Sequence, residues 1–487
     1  MTLRRTVAAG IGWTAFERFS GQGLAFVVFW ILARFLDKRD FGLVSLAGLH
    51  IAFVRVFVTD GLGTAIVQRR ALTRAHLDAA FWLSLAMALV LGGLTVEYRE
   101  TLASLLGETA AADVLGVLTL ALPLAAMSIV PSALLTRELR FKSLALRTTI
   151  VSAASGAVGV AAALLNAGVW ALVAQQLVGS AVLFASLLGA VSWRPGAKAT
   201  SGAFIDLGSF ALGVMANNVL WFLGQRIDQA VIGRELGVEV LGAYALSVRI
   251  VNVGLQAVTE PPAAVALPMF SKLQDERRAF GQAFVRSTSM ICALGFPLFV
   301  WLLLVAPTFI PLVFGTKWTT AVAPLQILCV SGIFRVAQTF IHPVFMALGR
   351  PGVYTATFGV FAVSNTIGVV LAAGWGVEAI ACAVTVAFLV TGLANLVALR
   401  FHIELNGRMI LESATPIVGS CIVMTLAVLG LRLCLVGHLP DTVLVAAETV
   451  VAFASYTGIL ALVAPGLLED LLKSVRSLCQ RDDVTVP

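Results

Sequence analysis

The sequence predicts an all-α integral membrane protein of about 14 transmembrane helices, built as two pseudo-symmetric six-helix bundles plus two C-terminal helices. Three observations predict it. Of 487 residues, 59% are hydrophobic and only 12% charged, about half the charged share of a soluble domain. The apolar residues come in runs long enough to cross hydrocarbon. The runs also resemble one another at a shift of about 200 positions. No water-soluble core of this length hides so much apolar surface, which excludes a large soluble enzyme.

A span takes about 20 mostly apolar residues. On that ruler the spans cover 11–35, 42–67, 77–97, 113–135, 143–165, 168–192, 204–232, 240–268, 281–305, 319–347, 353–373, 376–399, 410–432 and 443–464. The fourth and tenth carry or adjoin Pro123, Pro131, Pro324 and Pro343; membrane helices tolerate proline when neighbours satisfy the freed carbonyl. Met1 to Arg5 resembles a signal-peptide start, yet Glu17 and Arg18 interrupt the apolar stretch and no small-residue cleavage site follows. It reads as a retained first helix.

Loop charges orient the chain. One side collects Arg69, Arg70, Arg74, Arg137, Arg140, Lys142, Arg194, Arg277, Arg278, Arg400 and Arg408, among others; the opposite side holds only Arg34, Lys38, Arg39, Arg99, Arg234, Lys317 and Arg432. The excess is more than twofold, so the N-terminus reads as cytoplasmic, and an even span count brings the C-terminus to the same side. The net charge of +7 is then a matter of topology, not of a nucleic-acid surface. Trp13, Trp30, Trp82, Trp170, Trp193, Trp301, Trp318 and Trp375 fall near span ends, as an interfacial aromatic belt requires. The six cysteines lie mostly inside apolar runs without metal spacing, so neither disulfide nor metal is expected. Residues 466–478 have one apolar and one charged face and read as a cytoplasmic surface helix.

The repeat is read from ordered matches. Ala33-Arg34-Phe35-Leu36 meets Gly233-Arg234-Glu235-Leu236, Gly42 meets Gly242, Leu46 meets Leu246, and Thr59-Asp60 meets Thr259-Glu260. After a small drift, Leu106-Gly107 meets Phe314-Gly315 and Gly168-Val169 meets Gly376-Val377. The expected organisation is an N-terminal lobe (1–200), a C-terminal lobe (201–402), appended spans (403–465) and a cytoplasmic tail (466–487). An even number of spans per copy makes the repeat parallel, the plan of transporters whose substrate site lies between the halves.

A charge near the bilayer centre costs about 2.5–3.5 kcal/mol on insertion scales, and such residues survive facing protein or a wet cavity. Here they include Glu17, Arg18, Arg55, Asp60, Arg226, Asp228, Arg249, Glu260 and Arg335, with His50 and His342. Arg249, Asn252, Gln256 and Glu260 recur at helical steps, as do Arg335, Gln338 and His342, and Asn218, Trp221, Gln225 and Asp228. Either these groups pair as internal glue, Arg18 with Asp60 and Arg226 with Asp228, or they enclose a hydrated, net-positive cavity. Trp221 is core packing or a stacking platform for a sugar ring. Midplane arginine suits a diphosphate through bidentate bonds; Asn, Gln and Trp suit sugar hydroxyls and faces. That chemistry favours a lipid-diphosphate-linked glycan over a cation or an apolar drug. No G-x-x-x-x-G-K-[ST] loop is present, no cofactor is expected, and no enzyme site is apparent.

Arg34 to Ala47, Leu134 to Lys142, Gly168 to Gln176, Phe314 to Trp318 and Pro324 to Leu328 resemble polysaccharide flippases of the Wzx/WzxC type, exporters of lipopolysaccharide and exopolysaccharide biosynthesis in the multidrug/oligosaccharidyl-lipid/polysaccharide superfamily. The resemblance implies two rocking six-helix lobes in the bacterial inner membrane and undecaprenyl-diphosphate-linked oligosaccharide as cargo. It implies a cation gradient as the drive. The repeat supplies both halves of a cavity, so a monomer suffices, and a polysaccharide polymerase or co-polymerase is a candidate partner. It makes Arg18, Arg55, Arg249 and Arg335 anion-binding and Glu17, Asp60 and Glu260, with His342, coupling or gating groups. Asn218, Trp221, Gln256 and Gln338 complete the expected substrate site. A cation-coupled drug or metabolite exporter and a passive assembly scaffold stand as alternatives.

Overall fold

A computed structural model describes residues 21, 23–69, 71–138, 141–196, 199–435 and 438–471. Among them every regular element is helical. In lipid the backbone must satisfy its own polar groups, and helices do so within one segment. The long apolar helices are α2 (Lys38–Gln68), α3 (Arg74–Glu97), α4 (Ala111–Arg137), α5 (Phe141–Leu164), α6 (Val169–Leu188), α7 (Ser201–Leu236), α8 (Val238–Ser271), α9 (Arg277–Phe314), α10 (Thr316–Ala347), α11 (Pro351–Trp375), α12 (Val377–Arg400), α13 (Gly407–Leu435) and α14 (Asp441–Val463). These 13 have the length and composition to cross a membrane. The shorter apolar helix α1, Gly23–Phe35, precedes them. The rest of the first expected span, with Glu17 and Arg18, lies outside the described residues. The chain is thus a multi-pass membrane protein.

Two compact units form. The first lies within Met1–Leu246 and Ala362–Ala383; the second within Ser247–Phe361 and Val384–Pro487. In the first, Leu62, Ile66, Phe81, Ile129, Val130 and Leu207 bury a core among α2, α3, α4 and α7. Ile51, Val54, Leu115, Leu118, Leu122 and Val173 bury another among α2, α4 and α6. In the second, α9 packs on α10, α13 and α14, and Phe270 stacks on Phe280 with Phe340 at its edge.

The expected repeat reaches atomic detail at one crossing in the first unit. A Cβ on Gly42 would overlap the Val238 carbonyl, and a Cβ on Gly242 would overlap the Lys38 carbonyl. Position 38 maps to 238 and 42 to 242 under the same 200-residue shift, so the contact maps onto itself. The matched glycines Gly107 and Gly315 share a positive φ (91° and 103°), as do Gly168 and Gly376 (55° and 95°).

Two departures from regular helix matter below. In α2 the turn Val56–Asp60 is a π-helix. In α10 the helix stops at Ala337 and resumes at Ile341. Trp318, expected in the interfacial belt, is fully buried in the 3₁₀ turn Thr316–Ala321.

The glycine crossing has a direct test. Gly42→Ala and Gly242→Ala each force a methyl against backbone, an overpacking worth about 1–3 kcal/mol. Both lower the melting temperature of the purified protein, while Gly48→Ala, whose Cβ meets nothing within 4 Å, leaves it unchanged.

Candidate functional site

In the first unit the π-turn of α2 separates Arg55 from Asp60. A π-turn inserts an extra residue, and such turns recur at functional sites. The Thr59 hydroxyl has one proton and two acceptors in reach, the Arg55 carbonyl at 3.0 Å and Asp60 Oδ1 at 2.9 Å. From α3 the buried Ser84 hydroxyl donates to the Val58 carbonyl at 2.6 Å, giving the distorted turn a partner from a neighbouring helix. Arg55 and Asp60 are both exposed. The Arg55 guanidinium has no hydrogen-bond or ion-pair partner among the described residues.

Helix α7 runs antiparallel along α2. Leu46 meets Gly233, the Phe53 ring lies 5.6 Å from that of Phe222, and Gly61 lies against Met215 and Ala211. This register puts Arg55 at the depth of Asn218 to Phe222 and Asp60 near that of Met215. Asn218 is half-buried, and Trp221 is 50% exposed. Trp221 is therefore not a core residue of its unit. Four of the expected site residues, Arg55, Asp60, Asn218 and Trp221, share one band on two packed helices.

Deeper in this unit, Asp228 on α7 is 6% exposed. It does not pair with Arg226, whose Nη1 donates to Gln229 Oε1 at 3.3 Å. Instead the buried Tyr244 hydroxyl donates to Asp228 Oδ2 at 2.6 Å, and Asp228 Oδ1 has no hydrogen-bond partner among the described residues. Asn365, on α11 and 2% exposed, donates from Nδ2 to the Gly224 carbonyl at 2.8 Å, one turn before Asp228. Its Oδ1 is also without a partner among the described residues. Two orphaned buried oxygens on adjoining helices are costly in hydrocarbon. Sequence reading flagged Asp228 as one charge among many and overlooked Asn365, since a single Asn in an apolar run carries no periodic signal.

In the second unit, α8 carries Arg249, exposed, followed by Gln256 and Glu260, both half-buried. No partner meets Arg249 among the described residues. Pro261 and Pro262 follow Glu260 within the helix. Lacking N–H groups, they leave the Ala257 and Val258 carbonyls short of helical donors beside that carboxylate.

On α10 the Arg335 guanidinium sits 5.3 Å from the Phe388 ring centroid, a cation–π contact. Gln338 marks the helix break. Its Nε2 donates to the Phe334 carbonyl at 3.2 Å and the Phe388 carbonyl at 2.9 Å, and its Oε1 accepts from Asn395 Nδ2 at 3.1 Å. That amide is fully engaged in tying α10 to α12, so it positions the turn that carries Arg335. His342 is exposed, its ring 4.8 Å from Tyr354 and edge-on. Among the described residues, no cluster of His, Cys, Asp or Glu has a metal-holding arrangement.

One ion pair corrects the loop reading. Arg432, assigned by sequence to an outer loop, lies in α13 and donates to the fully buried Glu448 of α14, Nε to Oε1 at 2.8 Å and Nη2 to Oε2 at 3.2 Å. Trp301 Nε1 donates to Thr449 Oγ1 at 3.1 Å and the Tyr456 hydroxyl to the Ala293 carbonyl at 2.8 Å, so α14 is pinned to α9. Removing one partner of a buried pair leaves the other uncompensated, at about 3–5 kcal/mol. Glu448→Ala lowers the melting temperature sharply, and adding Arg432→Met to it recovers most of the loss.

Comparisons with known proteins converge. A family profile described as polysaccharide biosynthesis protein matches residues 31–323. The succinoglycan biosynthesis transport protein ExoT of Rhizobium meliloti (strain 1021) is 29% identical, over 97% of this chain and 96% of that protein. The lipopolysaccharide biosynthesis protein WzxC of Escherichia coli (strain K12) is 26% identical, over 82% of this chain and 81% of that protein. Among solved structures, a lipid II flippase MurJ in an inward closed conformation superposes with a TM-score of 0.78 at 12% identity, covering 93% of this chain and 99% of that one. An inward-facing multidrug resistance transporter of the MATE family gives 0.62 at 14% identity, covering 80% and 97%. These likenesses show that the chain has the fold shared by these transporters.

Proposed function

The chain belongs to the polysaccharide biosynthesis protein family, and we propose that it is a flippase that moves a lipid-diphosphate-linked oligosaccharide across the bacterial inner membrane by alternating access. The observation that carries this reading is a pair of arginines, Arg55 and Arg249, exposed within apolar spans and unpaired among the described residues. A guanidinium in hydrocarbon without a carboxylate is tolerated when water and an anionic ligand reach it. With Arg18 and Arg335 they form the set that grips the diphosphate bidentately. Asn218 and Gln256 meet sugar hydroxyls, Trp221 stacks on a ring face, and Gln338 holds the Arg335 turn. The two lobes are residues 1–200 and 201–402, both termini are cytoplasmic, a monomer suffices, and a polymerase consumes the delivered unit. The relatives' names, succinoglycan for one and lipopolysaccharide for another, support the cargo class and leave the glycan open.

Losing a charge-assisted bond costs about 1.5–3 kcal/mol, roughly ten- to hundredfold in an equilibrium. Arg55→Ala and Arg335→Ala therefore cut polymer export by at least about tenfold in a host lacking its own flippase, at normal protein abundance. The lysine variants rescue only in part, because the planar fork is lost. Export at wild-type level in both alanine variants defeats the reading. In that outcome, resistance to cationic compounds dependent on Asp60 supports the drug-exporter alternative.

The drive is assigned to the cation gradient. Glu17, Asp60, Glu260 and His342 are coupling candidates from sequence, and Asp228 joins them because its Oδ1 and that of Asn365 are unmatched buried oxygens, hard donors that suit a proton or a small cation. Asp228→Asn keeps an acceptor for Tyr244 and removes the charge. Transport by that variant in proteoliposomes stops responding to imposed sodium or proton gradients. An unaltered gradient response removes Asp228 from the coupling machinery.

A further inference from the structure

The connection from α6 to α7 is tied down. Trp193 Nε1 donates to Oδ1 of the fully buried Asp78 at 3.2 Å, the Gly196 amide donates to the same oxygen at 3.3 Å, and Trp82 Nε1 donates to the Gly196 carbonyl at 2.9 Å. The Phe81 ring meets the Trp193 ring edge-on at 5.7 Å. Trp193 is thereby a fixed wall, and a cavity lies on either side of it.

The first, about 190 Å³, is apolar and lined by Phe81, Met127, Pro131, Phe184, Leu187 and Trp193. It sits where α4 cannot close its own turn, because Pro131 has no N–H to give the Met127 carbonyl. The second, about 600 Å³, is lined by Thr73, Arg74, Arg137, Glu138, Ser192 and Trp193. Arg194 stands at the edge of the apolar cavity. It donates to the Val191 and Trp193 carbonyls at 2.6 and 2.8 Å, and Arg137 donates to the Ile66 and Arg69 carbonyls. Arg74, Arg137 and Arg194 thus line the two cavities that meet at Trp193, with Glu138 among them. The loop-charge reading puts this end of the helices in the cytoplasmic leaflet, whose lipids are anionic, and basic pockets between spans on that side bind anionic headgroups.

We propose that this is a binding site for an anionic phospholipid, with part of one acyl chain beside Trp193 and Pro131 and the headgroup phosphate on Arg74, Arg137 and Arg194. The site is separate from the band of Arg55 and Asn218, and its occupant is a resident lipid of the leaflet, not the cargo.

The test uses the full chain reconstituted in phosphatidylcholine bilayers with rising fractions of phosphatidylglycerol brominated in the acyl chain, reading tryptophan quenching. Brominated phosphatidylglycerol quenches a component that the Trp193→Phe protein lacks, and does so at a mole fraction at least tenfold lower than brominated phosphatidylcholine. Arg74→Ala combined with Arg194→Ala moves the phosphatidylglycerol curve to the phosphatidylcholine position. Arg74→Glu does the same. Arg74 is exposed in the first turn of α3, where glutamate suits the helix dipole, so this variant stays folded even where the double variant does not. Equal quenching by the two lipids, or an unshifted curve in the arginine variants, overturns the proposal. Displacement of the brominated lipid by a polyprenyl diphosphate at equal mole fraction also overturns it, since the site would then belong to the cargo. The readout is binding without transport, so its failure leaves the flippase reading standing.

Discussion

Hydrocarbon has no hydrogen bond to offer, and every polar group sunk in it must find its partner in the protein or in water brought there for a purpose. That constraint organises the whole molecule. It makes every regular element among the described residues helical. It explains why two local departures from helix are attended by polar side chains from neighbouring helices. Ser84 serves the π-turn of α2, and Gln338 with Asn395 serves the break in α10.

The same constraint sorts the charges within the spans into two kinds. Glu448 with Arg432 is a closed account: each carboxylate oxygen has its own guanidinium nitrogen, and the pair fastens α13 to α14. Among the described residues, Arg55, Arg249 and Asp228 Oδ1 have no such partner. An unmatched group is expensive to keep in a membrane.

The packing of α2 against α7 and α8 gives Arg55 its setting. At the Gly42 and Gly242 crossing, two copies of one sequence meet backbone to backbone, and no side chain larger than hydrogen fits. The neighbouring contacts of α2 with α7, Leu46 on Gly233 and Phe53 on Phe222, bring Asn218 and Trp221 to the depth of Arg55.

How much of this was legible in the sequence differs by element. The spans were, because bilayer thickness sets one length for all of them and composition reports it. The glycine pairs were, because two copies preserve the positions that only glycine fills. Arg55 and Arg249 are legible as charges inside apolar runs. Trp318 was misjudged: tryptophan near a span end usually marks the interface, yet here a 3₁₀ turn folds it entirely inward. Arg432 was read as a loop charge because its partner lies on the next helix, and the engagement of Gln338 depends on Asn395 and the Phe388 carbonyl. The sequence by itself determined that the chain crosses the membrane many times, carries two copies of one plan, and holds arginines where they are costly. Which of those charges are closed and which stay open was decided only by tertiary structure, because a partner in a membrane is chosen by the crossing of helices far apart in the chain.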